Sequence, residues 1–523
     1  MKKLPIGIQT FSAVRLDDFV YIDKTPLVWK MVQQPSRYFL SRPRRFGKSL
    51  LVDTFKELFE GNKALFEGLY IYDKWDWSKT YPVIKLDFAD GTIQSRKDLD
   101  VRILDLFYGA QTLLGIECEF NTDLASCFRQ LIQKAHAKYG QKVVVLVDEY
   151  DKPILDNIDN VEISAQVREG LKNIYSVLKG QDAYLQFVFM TGVTKFSKVS
   201  LFSGLNQLED ITLDSRFATI CGYTQNDLQT SFAEHLDGVD WAKLKEWYNG
   251  YQFLGEAVYN PYDVLLFISK GLLYRSYWFE TGSPSFLIKL FKKNRYFLPE
   301  LDNIQVDENI LNSFDVENIN PITLLFQAGY LTIDSVNEDE LEELNFHLRI
   351  PNREVQSALY SQLLSGYTHL AESVRSHRRN LLVLLKAADF DGVQAEIVSL
   401  FASIPWRNFT KNDIDSAEGY YASVMFAYLS SLNAHITAED ISNHGQVDLT
   451  VKLGDHLFIM EFKLDKSTDY QPQTPNPALQ QIITKNYAQK HQAWSQAGKP
   501  IHQIGLIFNQ NARNLVQMDW LTV

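Results

Sequence analysis

Gly47-Lys48-Ser49 closes the stretch Arg42-Pro43-Arg44-Arg45-Phe46-Gly47-Lys48-Ser49-Leu50-Leu51, which follows the apolar run Tyr38-Phe39-Leu40 and precedes a helical pattern. A strand, a loop ending in Gly-Lys-Ser and a helix make a cradle for phosphate. Backbone N–H groups and the helix N-terminus meet the anion, the lysine adds a point charge, and the serine hydroxyl is placed to ligate Mg²⁺. The cradle spans Arg45, Phe46, Gly47, Lys48, Ser49 and Leu50. Where G-x-x-x-x-G-K-[ST] loops carry their first glycine, this chain has Arg42. Arg42, Arg44 and Arg45 each read as a phosphate contact or, more plainly, as part of a solvated loop. A second element belongs with the first. Val143 to Val147 is an unbroken apolar run that delivers Asp148 and Glu149 at its carboxyl end, where ligands bind in open α/β sheets. Asp148 is placed to hold the metal, and Glu149 to polarise an attacking water. Thr191, ending the run Leu185 to Met190, reads equally as a γ-phosphate sensor and as a strand-to-turn threonine before Gly192.

A second constellation lies near the carboxyl end. Gly454-Asp455 separates two strand patterns, Val447 to Leu453 and His456 to Lys463, and suggests a tight hairpin. With a two-residue loop, Leu453 faces His456, and counting outward pairs Asp448 with Glu461. One face then carries Val447, Leu449, Val451, Phe458, Met460 and Phe462. The other carries Asp448, Thr450, Lys452, Leu457, Ile459, Glu461 and Lys463. Like charges directly opposed on a sheet are destabilising, so two facing carboxylates want a reason. A divalent cation gives one, since hard carboxylate oxygens suit Mg²⁺ or Mn²⁺. Lys463, on the same face, could orient a water or stabilise charge developing on phosphorus. The plainer alternative is a surface pattern of Glu461–Lys463 and Asp448–Lys452 pairs. Leu457 and Ile459 count against it, because they imply burial of that face, and buried unpaired carboxylates are costly.

These residues need particular elements beneath them. Strand-like runs at Tyr38–Leu40, Val83–Phe88, Val143–Val147 and Leu185–Met190 alternate with helical patterns at about 48–60, 97–115, 122–138 and 163–179. Such alternation predicts βαβ units and a mainly parallel sheet. Residues 224–300 are rich in aromatics and read as short helices broken at Pro261 and Pro284. Residues 310–400 read as helical with strands near Gly329–Ile333 and Phe346–Ile350. From about 405 the order is helix (417–433), strand (447–453), strand (456–463), helix (476–493) and strand (501–508).

At 523 residues the chain has room for about three domains. Hydrophobic residues at 46 % and charged residues at 22 % are globular values, which exclude a disordered tail or a collagen-like repeat. Cys118, Cys127 and Cys221 form no C-x-x-C pair, so reduced thiols in a cytoplasmic protein are expected, with no zinc site. The amino terminus lacks the apolar segment of a signal peptide, and no run is long enough to span a membrane. A formal net charge of −12 confines any nucleic-acid contact to a local basic patch.

Asp448…Glu461-Phe462-Lys463 resembles the D…(E/Q)-x-K signature of PD-(D/E)XK nucleases. Ser41 to Ser49 resembles the phosphate loop of a bacterial family of predicted AAA-ATPase-like proteins fused to that nuclease fold, a loop that also lacks the first glycine. Further matching stretches are Tyr21-Ile22-Asp23-Lys24-Thr25, Leu146 to Pro153, Thr191 to Ser197, Ser203 to Asn206 and Trp247 to Tyr251. The resemblance implies an α/β architecture: an AAA-like P-loop ATPase core over 1–215, a helical lid over 216–300, a mostly helical linker over 301–404 and a PD-(D/E)XK nuclease-like domain over 405–523. It implies ATP and Mg²⁺ as cofactors, with Mn²⁺ also suited to the nuclease site. The partner implied is nucleic acid, DNA before RNA, without a membrane. It leaves room for a homo-oligomer, although no single arginine is marked as a finger for an AAA-like ring. By the same resemblance, Glu418 is the additional helical acid of the metal site, and Gln481 is the glutamine on the helix after the E-x-K strand. The metal sets are then Ser49 with Asp148, and Glu418 with Asp448 and Glu461, while Glu149, Asp448, Glu461, Lys463 and Gln481 carry catalysis. A nucleotide-dependent switch with a silent nuclease-like domain is the alternative, disfavoured by the complete Asp448/Glu461/Lys463 trio.

Overall fold

In the computed structural model, the apolar run at 143–147 forms an interior strand of a parallel sheet and is buried along its whole length, as a strand covered on both faces must be. The structure describes the chain apart from residues 35, 120–122, 196–206, 279–289, 292–295, 303, 313–316, 339–341, 371–372 and 406–416, and apart from the side chains of 302, 312, 417 and 418. Among the described residues the sheet has five strands: β1 (Ser36–Ser41), β2 (Val83–Asp87), β3 (Val143–Asp148), β4 (Leu185–Gly192) and the short β5 (Glu209–Asp210). They run parallel in the order β2–β3–β4–β1–β5. All carboxyl ends therefore share one edge. β4 sits between β1 and β3, so the Gly-Lys-Ser loop and Asp148 emerge two strands apart.

The helices between these strands fall close to the predicted spans: Lys48–Phe59, Arg96–Leu114, Leu124–Tyr139 and Val161–Ser176. Their ends follow local chemistry. Ser95 and Asp123 accept the N–H groups of Asp98 and Ser126, and Gly115 and Gly140 close the same two helices in the left-handed conformation. Beyond 215 come the expected short helices, Gln225–Ser231, Trp241–Tyr248 and Pro261–Ser269. They are held by an aromatic core of Phe232, Tyr248, Tyr259, Phe267 and Tyr277, into which Val20 and Ile22 of the N-terminal segment also pack.

Three more strands follow, β6 (Ile304–Asp307), β7 (Thr332–Glu338) and β8 (Leu344–Arg349), of which β7 and β8 pair antiparallel. The carboxyl-terminal sheet holds β9 (His435–Ser442), β10 (Gly445–Leu453), β11 (His456–Asp465), β12 (Ile501–Asn509) and β13 (Asn514–Thr522), ordered β13–β12–β11–β10–β9. β11 and β12 are parallel and the other neighbours antiparallel. One face is packed by the helices Phe390–Ser403 and Ala417–Ser430, with Phe401 and Tyr421 against Phe508 at 5.1 and 4.8 Å between ring centres. Pro477–Thr484 covers the other.

The chain divides into two compact units: Met1–Trp278 with Val306–Asn352, and Phe279–Gln305 with Arg353–Val523. Residues 301–404 are thus shared between the units rather than standing apart. No described helix is long and apolar enough to cross a membrane.

Candidate active sites

In the first unit, Gly47 adopts φ +93° immediately before the helix at Lys48, and Arg45 adopts φ +70°. This curled backbone turns the loop around the helix N-terminus. Lys48 is buried, and its ammonium donates to the carbonyls of Arg42 and Pro43 at 3.0 Å each, so the loop is closed on its own lysine. Arg42 fits neither sequence-based reading. Its side chain is 1 % exposed and lies 3.8 Å over the Phe253 ring, donating to the carbonyls of Ser41, Thr212 and Phe217 at 2.9, 2.7 and 3.4 Å. Burial pushes its pKa down to about 10, with Cys221 and Asp210 pulling the other way. Where a glycine would leave room, an arginine staples the loop base to the 212–217 segment. Arg44 and Arg45 are exposed, as the solvated-loop reading expects, with the Arg45 guanidinium 4.6 Å over the Tyr262 ring. The Phe46 ring is buried against Tyr251 and Phe253, so Phe46 offers ligand only its backbone.

At the end of β3, Asp148 is buried. Its Oδ1 accepts the Glu149 N–H at 3.0 Å, and its Oδ2 has no hydrogen-bond partner among the described residues. Burial raises its pKa to about 6, opposed by the Ser49 hydroxyl. A carboxylate desolvated beside Ser49, with one oxygen unspent, suits a cation shared with that hydroxyl. Glu149, at φ +52°, is half-buried and lines the cavity in front of the loop. Thr191 is buried within the sheet, where its hydroxyl donates to the Leu40 carbonyl at 2.9 Å. It does not line the cavity. Asp151 has a structural role that its place in the motif does not announce. Fully buried, it accepts the N–H groups of Val193 and Thr194 and the Thr194 hydroxyl, tying the end of β3 to the end of β4. Its only sequence signal was a place in the Asp148-Glu149-Tyr150-Asp151 run.

The cavity has a volume of about 380 Å³. Gly47, Lys48, Ser49 and Glu149 line one part of it, while Val20, Tyr21, Tyr223, Tyr262 and Leu265 supply apolar and aromatic wall. A Gly-Lys-Ser loop and apolar, aromatic walls in one cavity of this volume suit a nucleotide in size and chemistry.

In the second unit, β10 and β11 are joined by Gly454-Asp455 alone. Leu453 faces His456, and the pairing runs inward through Lys452–Leu457, Val451–Phe458 and Thr450–Ile459 to Leu449–Met460. Gly454 holds φ +60°, the left-handed backbone that so short a turn asks of glycine. One step beyond the last pair stand Asp448 and Glu461. Asp448 turns its Oδ2 to the Phe462 N–H at 2.6 Å. On the other side of β10, the ladder pairs Val447 with Asp440 and Leu449 with Ala438 but skips Asp448, where Glu439 of β9 adopts φ +48°. The interruption breaks the alternation. Val447 joins the layer of Leu457, Ile459, Ile482 and Ile501, not that of Leu449 and Val451 as strict alternation predicts.

Glu461 is 4 % exposed. Its Oε1 accepts from Gln481 Nε2 at 2.5 Å and from Lys463 Nζ at 3.4 Å, while its Oε2 has no hydrogen-bond partner among the described residues. Burial raises its pKa to about 7, with the Asp448 charge adding to the rise and Lys463 opposing it. Gln481 reaches Glu461 because its helix lies tight on β12. Glu461 pairs with Gly505, and a Cβ on that glycine would come within 2.8 Å of Leu479 Cα. Asn476, absent from the sequence reading, anchors the helix. Its Oδ1 accepts the N–H groups of Ala478 and Leu479, and its Nδ2 donates to the Gly505 carbonyl and Asp519. The Asn476-Pro477 pair carried a helix-start signal that could have shown it. Glu418 lies on the helix Ala417–Ser430, and its side chain is outside the described residues. No group of three or more His, Cys, Asp or Glu side chains that could hold a metal occurs among the described residues. A cation here would rest on Asp448 and Glu461. The unspent Oε2, desolvated next to a second carboxylate, is the group that a cation would satisfy.

Models of two families match the chain: a predicted AAA-ATPase family over residues 5–202 and the PD-(D/E)XK nuclease superfamily over residues 416–518. An uncharacterized protein in the vnfD 5′ region of Azotobacter chroococcum mcd 1 is 46 % identical over 516 residues, 98 % of each chain. The chain belongs to the predicted AAA-ATPase-like family that carries a PD-(D/E)XK nuclease superfamily domain. The parallel sheet with its Gly-Lys-Ser loop is the AAA-like part, and the mixed sheet bearing Asp448 and Glu461 is the nuclease-like part. The matching stretch at 203–206, and Phe196 and Ser197 of the preceding one, lie outside the described residues.

Proposed function

We propose that this protein binds and hydrolyses Mg·ATP in its first unit and cleaves nucleic-acid phosphodiesters, preferentially in DNA, in its second. The observation that carries the reading is Glu461: a buried carboxylate facing Asp448, with one oxygen held by Gln481 and Lys463 and the other unspent. Such a group is costly in an inert fold and useful in a metal site. Asp448 and Glu461 would hold a divalent ion, which would supply Lewis acidity toward water and phosphate oxygen. The chain's own residues then do the rest. Gln481 fixes the Glu461 carboxylate, and Lys463, 41 % exposed at its side chain, presents a cation toward the developing negative charge on phosphorus. Lys466, just beyond β11, and Lys485, one turn after Gln481, offer positive charge for a phosphate backbone despite the acidic whole.

In the first unit Ser49 and Asp148 would hold Mg²⁺, Lys48 would leave its loop carbonyls for phosphate, and Glu149 would polarise the water. Coupling of the two activities would suit restriction of mobile elements or phage.

The test uses the full chain with Lys48→Ala and Glu461→Ala variants, assayed in parallel for ATP hydrolysis and Mn²⁺-dependent plasmid cleavage. Lys48→Ala is expected to abolish ATP turnover, and Glu461→Ala to abolish cleavage and Mn²⁺ binding while leaving ATP turnover in place. Variants indistinguishable from the parent in both assays would sink the proposal. A parent that binds no Mn²⁺ would favour the nucleotide switch.

A further inference from the structure

The stretch Tyr21-Ile22-Asp23-Lys24-Thr25 has no role in either site as described so far, yet Tyr21, Ile22 and Lys24 all line the nucleotide cavity. Lys24 is the unusual member. Its side chain is 16 % exposed, and its ammonium lies 2.9 Å from Asp227 Oδ2. Asp227 has other work: the same Oδ2 accepts the Thr224 N–H at 2.8 Å, and the Thr224 hydroxyl accepts the Asp227 N–H at 3.0 Å, closing a capping box on the helix Gln225–Ser231. Asp227 would therefore keep its helix-starting role if Lys24 left.

Lys24 lines the same cavity as Gly47, Lys48 and Ser49. The buried Cys221 thiol, part of the same wall, feels the positive charges of Arg42, Lys48 and Lys24 together. Among the other lining cations, Lys48 is held by the loop carbonyls that it leaves for phosphate in the reading above, Lys152 is held by the Gly91 carbonyl and Asp156, and Arg44 and Arg45 are exposed, with Arg45 over the Tyr262 ring. A polyphosphate bringing several negative charges into this partly desolvated space would compete strongly for an ammonium shared with a single carboxylate.

We propose that Lys24 is a phosphate ligand supplied from outside the Gly-Lys-Ser loop, and that nucleotide binding draws it from Asp227 onto the β- and γ-phosphates. The proposal rests on the nucleotide-binding reading above. Exchange of partners removes the ion pair between the N-terminal segment and the 225–231 helix, while Val20 and Ile22 stay in the core that Leu228 and Phe232 share.

Calorimetric titration of the full chain with ATPγS and Mg²⁺, and separately with AMP, tests this on Lys24→Gln, Asp227→Asn and Lys48→Ala. Lys24→Gln should weaken ATPγS roughly tenfold with AMP unchanged, and Asp227→Asn, which keeps an oxygen for the Thr224 N–H, should tighten ATPγS several-fold, roughly threefold or more. Opposite signs separate this from structural damage, which would weaken both variants. Weaker ATPγS binding by Asp227→Asn, or an equal loss of AMP and ATPγS in Lys24→Gln, would overturn the proposal. Unchanged binding by Lys24→Gln, with Lys48→Ala inactive, would overturn it while sparing the nucleotide site. A parent that fails to bind ATPγS would instead bring down the nucleotide reading itself.

Discussion

Glu461 holds its proton up to about pH 7, against an ordinary 4.5. Between those values the folded metal-free protein keeps a proton that the unfolded chain has lost, so its stability falls as pH rises through that window. Glu461→Gln removes this penalty. At pH 8 in EDTA the variant should be more stable by on the order of 1–3 kcal/mol, within the ceiling set by 1.36 kcal/mol per pKa unit, and should melt higher than the parent. Added Mn²⁺ should raise the melting temperature of the parent only. A variant that melts lower in EDTA would mean that Glu461 is already balanced without a metal. Arg42 makes the complementary case. Arg42→Gly restores the glycine of the standard phosphate loop, yet it strips three carbonyls of a buried donor and empties the space over Phe253. It should cost about 2–4 kcal/mol, seen as a fall in the urea midpoint. The sequence could show that an arginine stood in the glycine position. It could not show the burial, because the partners Thr212 and Phe217 lie 170 and 175 residues away.

At the scale of elements, local signals were enough for much of the frame. The apolar run of β3, the Gly-Lys-Ser helix start and the two-residue turn at Gly454-Asp455 were all legible, since each is written in adjacent residues. What escaped was settled between elements. Val447 changed layers because the β9 ladder skips Asp448, and the Thr191 hydroxyl went to β1 because β4 is its neighbour. Gly505 shows how an element fixes a side chain it does not contain. Gly505→Ala would press a methyl group into the backbone at Leu479 and lift the Pro477–Thr484 helix from β12. The expected cost is about 1–3 kcal/mol in stability. Because Gln481 rides on that helix, Mn²⁺ affinity should also fall, roughly tenfold or more, as with other outer partners of metal ligands. Titration calorimetry would read the affinity, and Mn²⁺ binding equal to the parent's would show that Gln481 does not position Glu461.

For the molecule as a whole, the nuclease-like sheet is larger in its dependencies than the family match suggests. The match begins at 416, but Phe390 packs at 5.0 Å on His502 and 5.4 Å on Trp520, and Phe401 lies on Phe508. A fragment of residues 405–523 should therefore expose this aromatic layer, bind a hydrophobic dye and aggregate, where the intact chain stays monodisperse in light scattering. A monodisperse 405–523 fragment with a cooperative melt would refute that dependence.

The winding of the chain between its two units also bears on how it is made. Leu298 and Leu301 are buried, and the Leu298 N–H donates to the Ser423 hydroxyl, 125 residues further on. On the ribosome this segment emerges before its partner helix exists, and the stretch Val306–Asn352 that follows it must turn back to complete the earlier unit. Leu298 and Leu301 are therefore expected to stay uncovered during synthesis until the helix that bears Ser423 has emerged.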